Sequence, residues 1–281
     1  MKCILIGSKG MLATDFASIA TEQGLELATF DLPDFDLTNP DHIANLPDAD
    51  WIVNCAAYTQ VDAAEENQKI ATAVNAMGPA LLAEHARKKN TPVFHISTDY
   101  VFDGELKDRA YKEDDPTNPI NVYGRTKREG EEAILQADCP AIIVRTQSLF
   151  GHNGPNFIKA ICNFIKQGKT PLRVVSDQTS CPTWSMHLAE AMLHLMREDF
   201  RGIVHTSSSG SCSWHEFACA IARHTAPETE VIAVPASTYP RPAKRPANSV
   251  LDKTLYQDIT GQLFPHWQEA LEGYFAQTPS C

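Results

Sequence analysis

The run Tyr123-Gly124-Arg125-Thr126-Lys127 sets a phenol and an amine four residues apart. On a helix, positions i and i+4 share a face, so both groups would point into one site. A phenol titrates near ~10, and a neighbouring ammonium favours the tyrosinate and lowers that value. Such a pair could deliver a proton to a carbonyl oxygen as hydride reaches its carbon. The pattern by itself is common, and on most helices it is a solvated polar face. Its surroundings raise its weight. It follows Ile96-Ser97-Thr98-Asp99-Tyr100-Val101-Phe102-Asp103-Gly104, an apolar strand that ends on two hydroxyls. Thr98 would sit at the carboxyl edge of a sheet, where it can hydrogen-bond a substrate oxygen and turn it toward Tyr123. The plainer reading has Ser97 and Thr98 merely capping the strand end.

A second cluster lies near the start. Gly7-Ser8-Lys9-Gly10-Met11-Leu12-Ala13 has the spacing G-x-x-G-x-x-A between an apolar strand and a helical pattern. Gly7 and Gly10 permit a tight turn and let the backbone approach a pyrophosphate. The N–H groups at Met11 and Leu12 would face the phosphates, and Ala13 lets helix and strand pack closely. A turn without a ligand is the alternative. Asp31 favours the ligand: it ends the second strand, 24 residues after Gly7, near the ~20-residue offset of a carboxylate that grips the adenosine ribose. Asp31 could otherwise be a loop cap. No Lys or Arg lies between Asp31 and Leu37, which favours NADH over NADPH. Asp36 and Leu37 would border the adenine. Asn54-Cys55-Ala56-Ala57 ends the third strand with small residues, and Ala56, Ala57 and Tyr58 are assigned to the cofactor.

Elements that alternate along the first half must position these groups. Apolar runs at 2–6, 25–30, 51–54, 92–96 and 141–144 read as strands. Residues 11–23, 68–89 and 122–136 read as helices. This rhythm predicts an α/β fold, a doubly wound parallel sheet of the Rossmann kind, with ligands at the strands' carboxyl ends. After residue 150 the pattern loosens into helices near 157–167, 185–196 and 213–224, a Pro-rich basic loop at 239–246 and a last helix near 265–276. We expect a cofactor-binding domain over 1–150 and a smaller α/β substrate lobe over 151–281. Part of that lobe, about 172–200, would return to the first domain.

Composition narrows the partners. The net charge is −11, which disfavours the phosphate backbone of nucleic acid. The opening apolar run is too short for a signal peptide, and no stretch approaches the ~20 apolar residues of a membrane span. A cytoplasmic protein is expected. The eight cysteines form no C-x-x-C pair and no cluster with His, so free thiols are expected rather than a disulfide framework or a zinc site.

Several segments carry a family resemblance. Val53-Asn54-Cys55-Ala56-Ala57-Tyr58-Thr59-Gln60-Val61-Asp62-Ala63-Ala64-Glu65, Ser97 to Gly104, Asn121 to Lys127, Asp177-Gln178 with Pro182-Thr183, and Arg245-Pro246 with Ser249 resemble the dTDP-4-dehydrorhamnose reductases, a branch of the extended short-chain dehydrogenases. The resemblance implies NAD(P)H-dependent reduction of the 4-keto group of a dTDP-linked 6-deoxy sugar. It implies Thr98, Tyr123 and Lys127 as the catalytic triad and Asn75 near the cofactor. Thr59, Val61, Asp99 and Ser148 would meet the substrate, and Arg245 would suit the diphosphate. Two departures stand out. The family reads Arg-Thr-Ser-Trp-Val-Tyr where this chain has Arg145-Thr146-Gln147-Ser148-Leu149-Phe150, so an aromatic surface for the sugar is missing at Ser148. Some members hold magnesium through acidic residues. Asp15 fits one such position, but Met186 stands where another acid is expected, and a thioether does not suit that ion; no metal is predicted. A homodimer is left open. The alternatives are another nucleotide-sugar enzyme, an epimerase or dehydratase, against which Tyr100 after Asp99 counts, and a non-catalytic regulatory subunit like that of methionine adenosyltransferase.

Overall fold

A computed structural model describes residues 1–277. The first half runs β1 (Lys2–Ile6), α1 (Met11–Glu22), β2 (Glu26–Phe30), α2 (Pro40–Ala44), β3 (Trp51–Asn54), α3 (Val61–Glu66), α4 (Gln68–Thr72), a π-helical turn (Ala73–Met77), α5 (Gly78–Lys89), β4 (Val93–Thr98), a 3-10 turn (Asp99–Val101), α6 (Val122–Gln136) and β5 (Ala141–Thr146). The second half runs β6 (Leu149–Phe150), α7 (Phe157–Lys166), β7 (Leu172–Val175), β8 (Thr179–Ser180), β9 (Thr183–Trp184), α8 (Ser185–Arg197), β10 (Gly202–His205), β11 (Cys212–Ser213), α9 (Trp214–Thr225), β12 (Val231–Val234), α10 (Thr254–Thr260) and α11 (Trp267–Gln277).

Six strands form one parallel sheet in the order β10-β5-β4-β3-β1-β2. Its strands are apolar on both sides, because helices cover both faces. Cys3, Leu5, Trp51, Val53, Phe94 and Val144 point into one layer with α1, α8 and α10. Ile4, Ile6, Ile52, Val93 and Ile143 point into the other with α2, α5 and α6. Successive residues of a strand thus serve opposite cores. A third core around Phe150, Ile161, Trp184, Phe217, Trp267 and Tyr274 holds the later elements together. β10 lies at the sheet edge beside β5. No helix among the described residues is long and apolar enough to cross a membrane.

Two local features depart from the sequence reading. Residues 68–89 form α4, the π-helical turn and α5 rather than one regular helix. The turn carries Asn75, whose carbonyl lies where a Cβ on Gly130 would stand 2.1 Å away. The widened turn and the bare glycine together let the two backbones meet. The cysteines also differ from expectation at one place. Cys3, Cys55, Cys139, Cys181, Cys212 and Cys219 are free thiols, but Cys162 is disulfide-bonded. A disulfide needs only two thiols brought together by the fold, which spacing along the chain does not report. Cys281 lies outside the described residues.

Helix α6 docks through Gly124 as well. A Cβ there would lie 2.0 Å from the Tyr100 carbonyl oxygen, a backbone atom that cannot rotate away. Gly124→Ala is therefore expected to destabilise the protein by about 2 kcal/mol or more through overpacking, lowering Tm by roughly 5 °C. A calorimetric scan that finds Tm unchanged would overturn this account of the helix contact.

Candidate active site

A cavity of about 860 Å³ opens along the carboxyl ends of the central strands. The first strand-to-helix turn forms one end. Gly7 has φ 76°, and a Cβ on it would lie 2.6 Å from the Ala56 nitrogen. Only glycine lets the turn approach the β3 loop so closely. Helix α1 starts at Met11 with Gly10 as N-cap and no side-chain cap. Its first amides and positive dipole end are left for an anion. Gly7, Gly10, Met11, Leu12, Ala56 and Ala57 all line the cavity. The donor set and the close approach fit a dinucleotide.

Asp31 stands at the tip of β2. Its Oδ2 accepts from the Lys9 N–H at 2.7 Å and its Oδ1 from the Leu32 N–H at 2.7 Å, which leaves lone pairs for ribose hydroxyls. The Lys9 ammonium also sits here, donating to the Leu32 carbonyl at 2.6 Å. A search for a cation downstream of Asp31 passes over it, because Lys9 lies inside the glycine turn. Asp36 accepts from the Thr38 N–H and hydroxyl at 2.8 and 2.7 Å, and these bonds hold its carboxyl below the usual range. Asp36 and Leu37 border the same cavity.

Tyr58 and Asn75 line no part of it. Asn75 Oδ1 accepts from the Tyr58 N–H at 2.8 Å, and its Nδ2 donates to the Tyr58 carbonyl and the Thr126 hydroxyl, both at 3.1 Å. This fully buried amide clamps the loop after β3 onto α6. It acts on the cavity wall from behind, because the π-helical turn aims it at backbone.

The expected chemical groups do converge. Thr98, Asp99, Tyr123 and Lys127 line the cavity, as do Thr59, Val61 and Ser148. Asn121 caps α6 by accepting from the Gly124 N–H at 2.8 Å, so Tyr123 lies in the helix's first turn. The Thr98 hydroxyl donates to Asp99 Oδ1 at 3.0 Å and accepts from the Tyr100 N–H at 3.2 Å. The Tyr100 and Tyr123 rings meet edge to face at 5.9 Å. One electrostatic expectation is corrected. Burial pushes the Tyr123 phenol up to about 12, the facing Thr98 hydroxyl pulls it down, and the Asp99 charge adds to the rise. Burial also brings Lys127 down to about 8, against the pull of Glu131 and Cys55. Lys127 Nζ donates to the Ile96 carbonyl at 2.6 Å and lies 3.3 Å from His95 Nε2. Sharing a helix face does not by itself make the lysine activate the tyrosine: burial is the largest influence on each group.

Behind the pair is a buried ionic cluster. Glu131 accepts from Arg145 Nη2 at 2.7 Å and from Nε at 3.0 Å, and from the Ser97 hydroxyl. The Arg145 guanidinium also lies 5.1 Å over the Phe102 ring. Every group has a partner, as buried charges require.

At the far end, Ser148 has φ 47°, and its hydroxyl hydrogen-bonds that of Ser180. Trp214, the first residue of α9, lines the cavity beside it. It also lines a smaller recess shared by Tyr100, Ser148 and Arg245. The sequence reading passed over Trp214, whose only signal was an aromatic at a helix start. Arg245 lies in that recess rather than in the main cavity. Its Nη2 donates to Asp62 Oδ2 at 2.9 Å and its Nη1 to Asp62 Oδ1. Its guanidinium is thus held in place by a carboxylate from α3.

Asp99 is the electrostatic outlier. It is buried, its Oδ2 makes no hydrogen bond of ordinary geometry, and burial raises it to about 7 despite bonds from Ser249 and Thr98. The folded state therefore favours the neutral acid more than the unfolded chain does. This contribution is full below about pH 4 and is lost as pH rises through about 7. Asp99→Asn, which stays neutral, should gain in Tm over the parent as pH rises from 5 to 8. A Tm difference that is constant across this range would refute the assignment.

The family described as RmlD substrate binding domain matches residues 1–279. A dTDP-4-dehydrorhamnose reductase from Aggregatibacter actinomycetemcomitans is 36% identical, covering 96% of this chain and 97% of the relative. A probable dTDP-4,6-dihydroxy-2-methyloxan-3-one 4-ketoreductase from Streptomyces antibioticus is 35% identical over 98% and 95%. The crystal structure of dTDP-4-dehydrorhamnose reductase from Bacillus anthracis in complex with NADP superimposes with TM-score 0.94 at 31% identity, covering 99% of each chain. A match of this extent, joined to relatives above 30% identity along almost the whole length, means that the chain belongs to the dTDP-4-dehydrorhamnose reductase family.

Proposed function

We propose that this protein reduces the 4-keto group of a dTDP-linked 6-deoxy sugar, turning dTDP-4-dehydrorhamnose into dTDP-L-rhamnose. The observation that carries this reading is the meeting of Thr98, Tyr123 and Lys127 in one cavity with the Gly7 turn and Asp31. The part up to about residue 150 holds the cofactor, and the later part supplies most of the sugar side.

When bound, a nicotinamide cofactor supplies the hydride. Its pyrophosphate would be held by the α1 amides at Met11 and Leu12, its adenosine ribose by Asp31, its adenine beside Asp36 and Leu37, and its nicotinamide ribose by Lys127. Thr98 donates to the carbonyl oxygen and sets it against Tyr123. Tyr123 gives up its phenolic proton to that oxygen, so that the ketone becomes an alcohol and a phenolate remains. A charged Lys127 stabilises the phenolate. Burial excludes water from this exchange, which strengthens each of these interactions.

At the ribose the site offers both a carboxylate and a cation. Asp31 suits the two hydroxyls of NADH. The Lys9 ammonium beside it can meet the 2′-phosphate of NADPH, so both cofactors are accepted. At the sugar end, Trp214 supplies the aromatic surface that Ser148 lacks. A keto sugar other than the rhamnose precursor is the second reading, favoured by Ser148 and by the recess between Trp214 and Arg245.

Oxidation of NADH and NADPH should be followed with dTDP-4-dehydrorhamnose and related keto-sugar nucleotides. Tyr123→Phe is expected to lower kcat by about 10²–10⁴-fold; full turnover in this variant, or none in the parent with any keto sugar, overturns the reading. Lys9→Ala should raise KM for NADPH roughly tenfold and leave KM for NADH within about twofold. Trp214→Ala should raise KM for the sugar nucleotide by about tenfold with the cofactor KM unmoved, and an unchanged sugar KM would remove Trp214 from the sugar site.

A further inference from the structure

Beneath Lys127 lies a chain of side chains that the reduction does not use. Asn54, His95 and Lys127 are all buried, with at most 1% of any of them exposed. The order of donors along this chain can be read from one fixed end. The Ala56 N–H can only donate, and it lies 3.0 Å from Asn54. The Asn54 atom facing it is therefore the amide oxygen. Asn54 Nδ2, a donor, then faces His95 Nδ1 at 3.1 Å, so Nδ1 must accept. Burial of the whole ring, the largest influence on it, keeps His95 far below its ordinary value, so the ring is neutral. A neutral ring with Nδ1 accepting carries its proton on Nε2. That N–H points at Lys127 Nζ, 3.3 Å away.

An ammonium has three donors and no acceptor. Facing Nε2–H, it would oppose donor to donor. Turning the Asn54 amide over only moves the clash to Ala56. An amine satisfies every contact: it donates to the Ile96 carbonyl at 2.6 Å and accepts from His95. The charged and titratable groups around Lys127 divide. Glu131 on the same helix and Cys55 after β3 favour the ammonium. Glu131, however, is already engaged by Arg145 of β5. Tyr123 on α6 and Asp99 after β4 hold their protons more tightly than usual.

We propose that His95 is a positioning residue that holds Lys127 drawn back against β4 as an amine, so that cofactor binding brings a proton onto Lys127. The second half of this statement rests on the reading that Lys127 holds the cofactor's ribose. Ribose hydroxyl oxygens accept from an ammonium, and the pyrophosphate adds negative charge to the cavity. Both favour the charged lysine once the cofactor is bound. The step is a protonation: Nζ gains a proton taken from solvent, and no other bond changes.

The test has two readouts, neither of them turnover. Long-range ¹H–¹⁵N spectra of protein stripped of cofactor should show His95, assigned through bonds from its own backbone, as the Nε2–H tautomer at pH 8. The Nδ1–H tautomer would overturn the proposal even if no variant folds. Calorimetric titration with NADPH at pH 8, in two buffers of different ionisation enthalpy, should show net proton uptake. His95→Met removes the donor and should cut that uptake at least twofold. His95→Gln keeps both a donor and an acceptor and should restore it. Equal uptake by the parent and His95→Met would overturn the proposal. If the parent binds neither NADPH nor NADH, the cofactor reading falls, and the tautomer alone decides whether His95 holds the amine.

Discussion

Helix α6 lies so close to its neighbours that two of its residues can carry no side chain. Gly124 rests against the Tyr100 carbonyl and Gly130 against that of Asn75. These contacts fix the helix in depth and rotation. Tyr123 sits beside the first of them and Lys127 midway between the two, so neither side chain can drift from the cavity wall. The π-helical turn at Ala73–Met77 and the 3-10 turn at Asp99–Val101 supply the two carbonyls. The irregular parts of the fold are thus those that set the position of Tyr123 and Lys127.

Holding α6 so deep buries polar groups that would prefer water. The protein answers with complete pairing in two adjoining sets. Ser97, Glu131 and Arg145 form one, with the guanidinium over Phe102. Asn54, His95 and Lys127 form the other. Such networks raise the penalty for a wrong arrangement more than they add to net stability. Asp99 lies outside both sets, a buried acid left short of donors and raised to about 7. A site that must meet a polar substrate tolerates incompletely satisfied groups at its wall, Asp99 and the Thr146 hydroxyl among them, at some expense in stability.

The end of the cavity beside Ser148 follows a different logic. There the walls come from the later elements, whose packing around Phe217 and Trp267 positions the start of α9. Trp214 at that start stands over the cavity beside Ser148. An aromatic plane is therefore present, although it comes from another element than the one where the family pattern would place it. Arg245 is held in the same region by Asp62.

Much of this was legible in the chain. The apolar runs announce buried parallel strands because helices cover both faces of the sheet, and the glycine turn, Asp31, Thr98 and the Tyr123–Lys127 pair announce a dinucleotide-dependent carbonyl chemistry through their types and spacing. Those are local properties, set by periodicity and by what each side chain can do. Spacing could not show which groups share a desolvated space. It did not reveal that burial, with Thr98 and Asp99, sets the Tyr123 phenol, that Asn75 turns away from the cavity to clamp Tyr58, or that Lys9 reaches the Asp31 corner. Nor did it bring Trp214 to the cavity beside Ser148 or place His95 beneath Lys127. Each of these depends on contacts between residues far apart in the chain, and burial and donor order exist only once the sheet has brought such residues together.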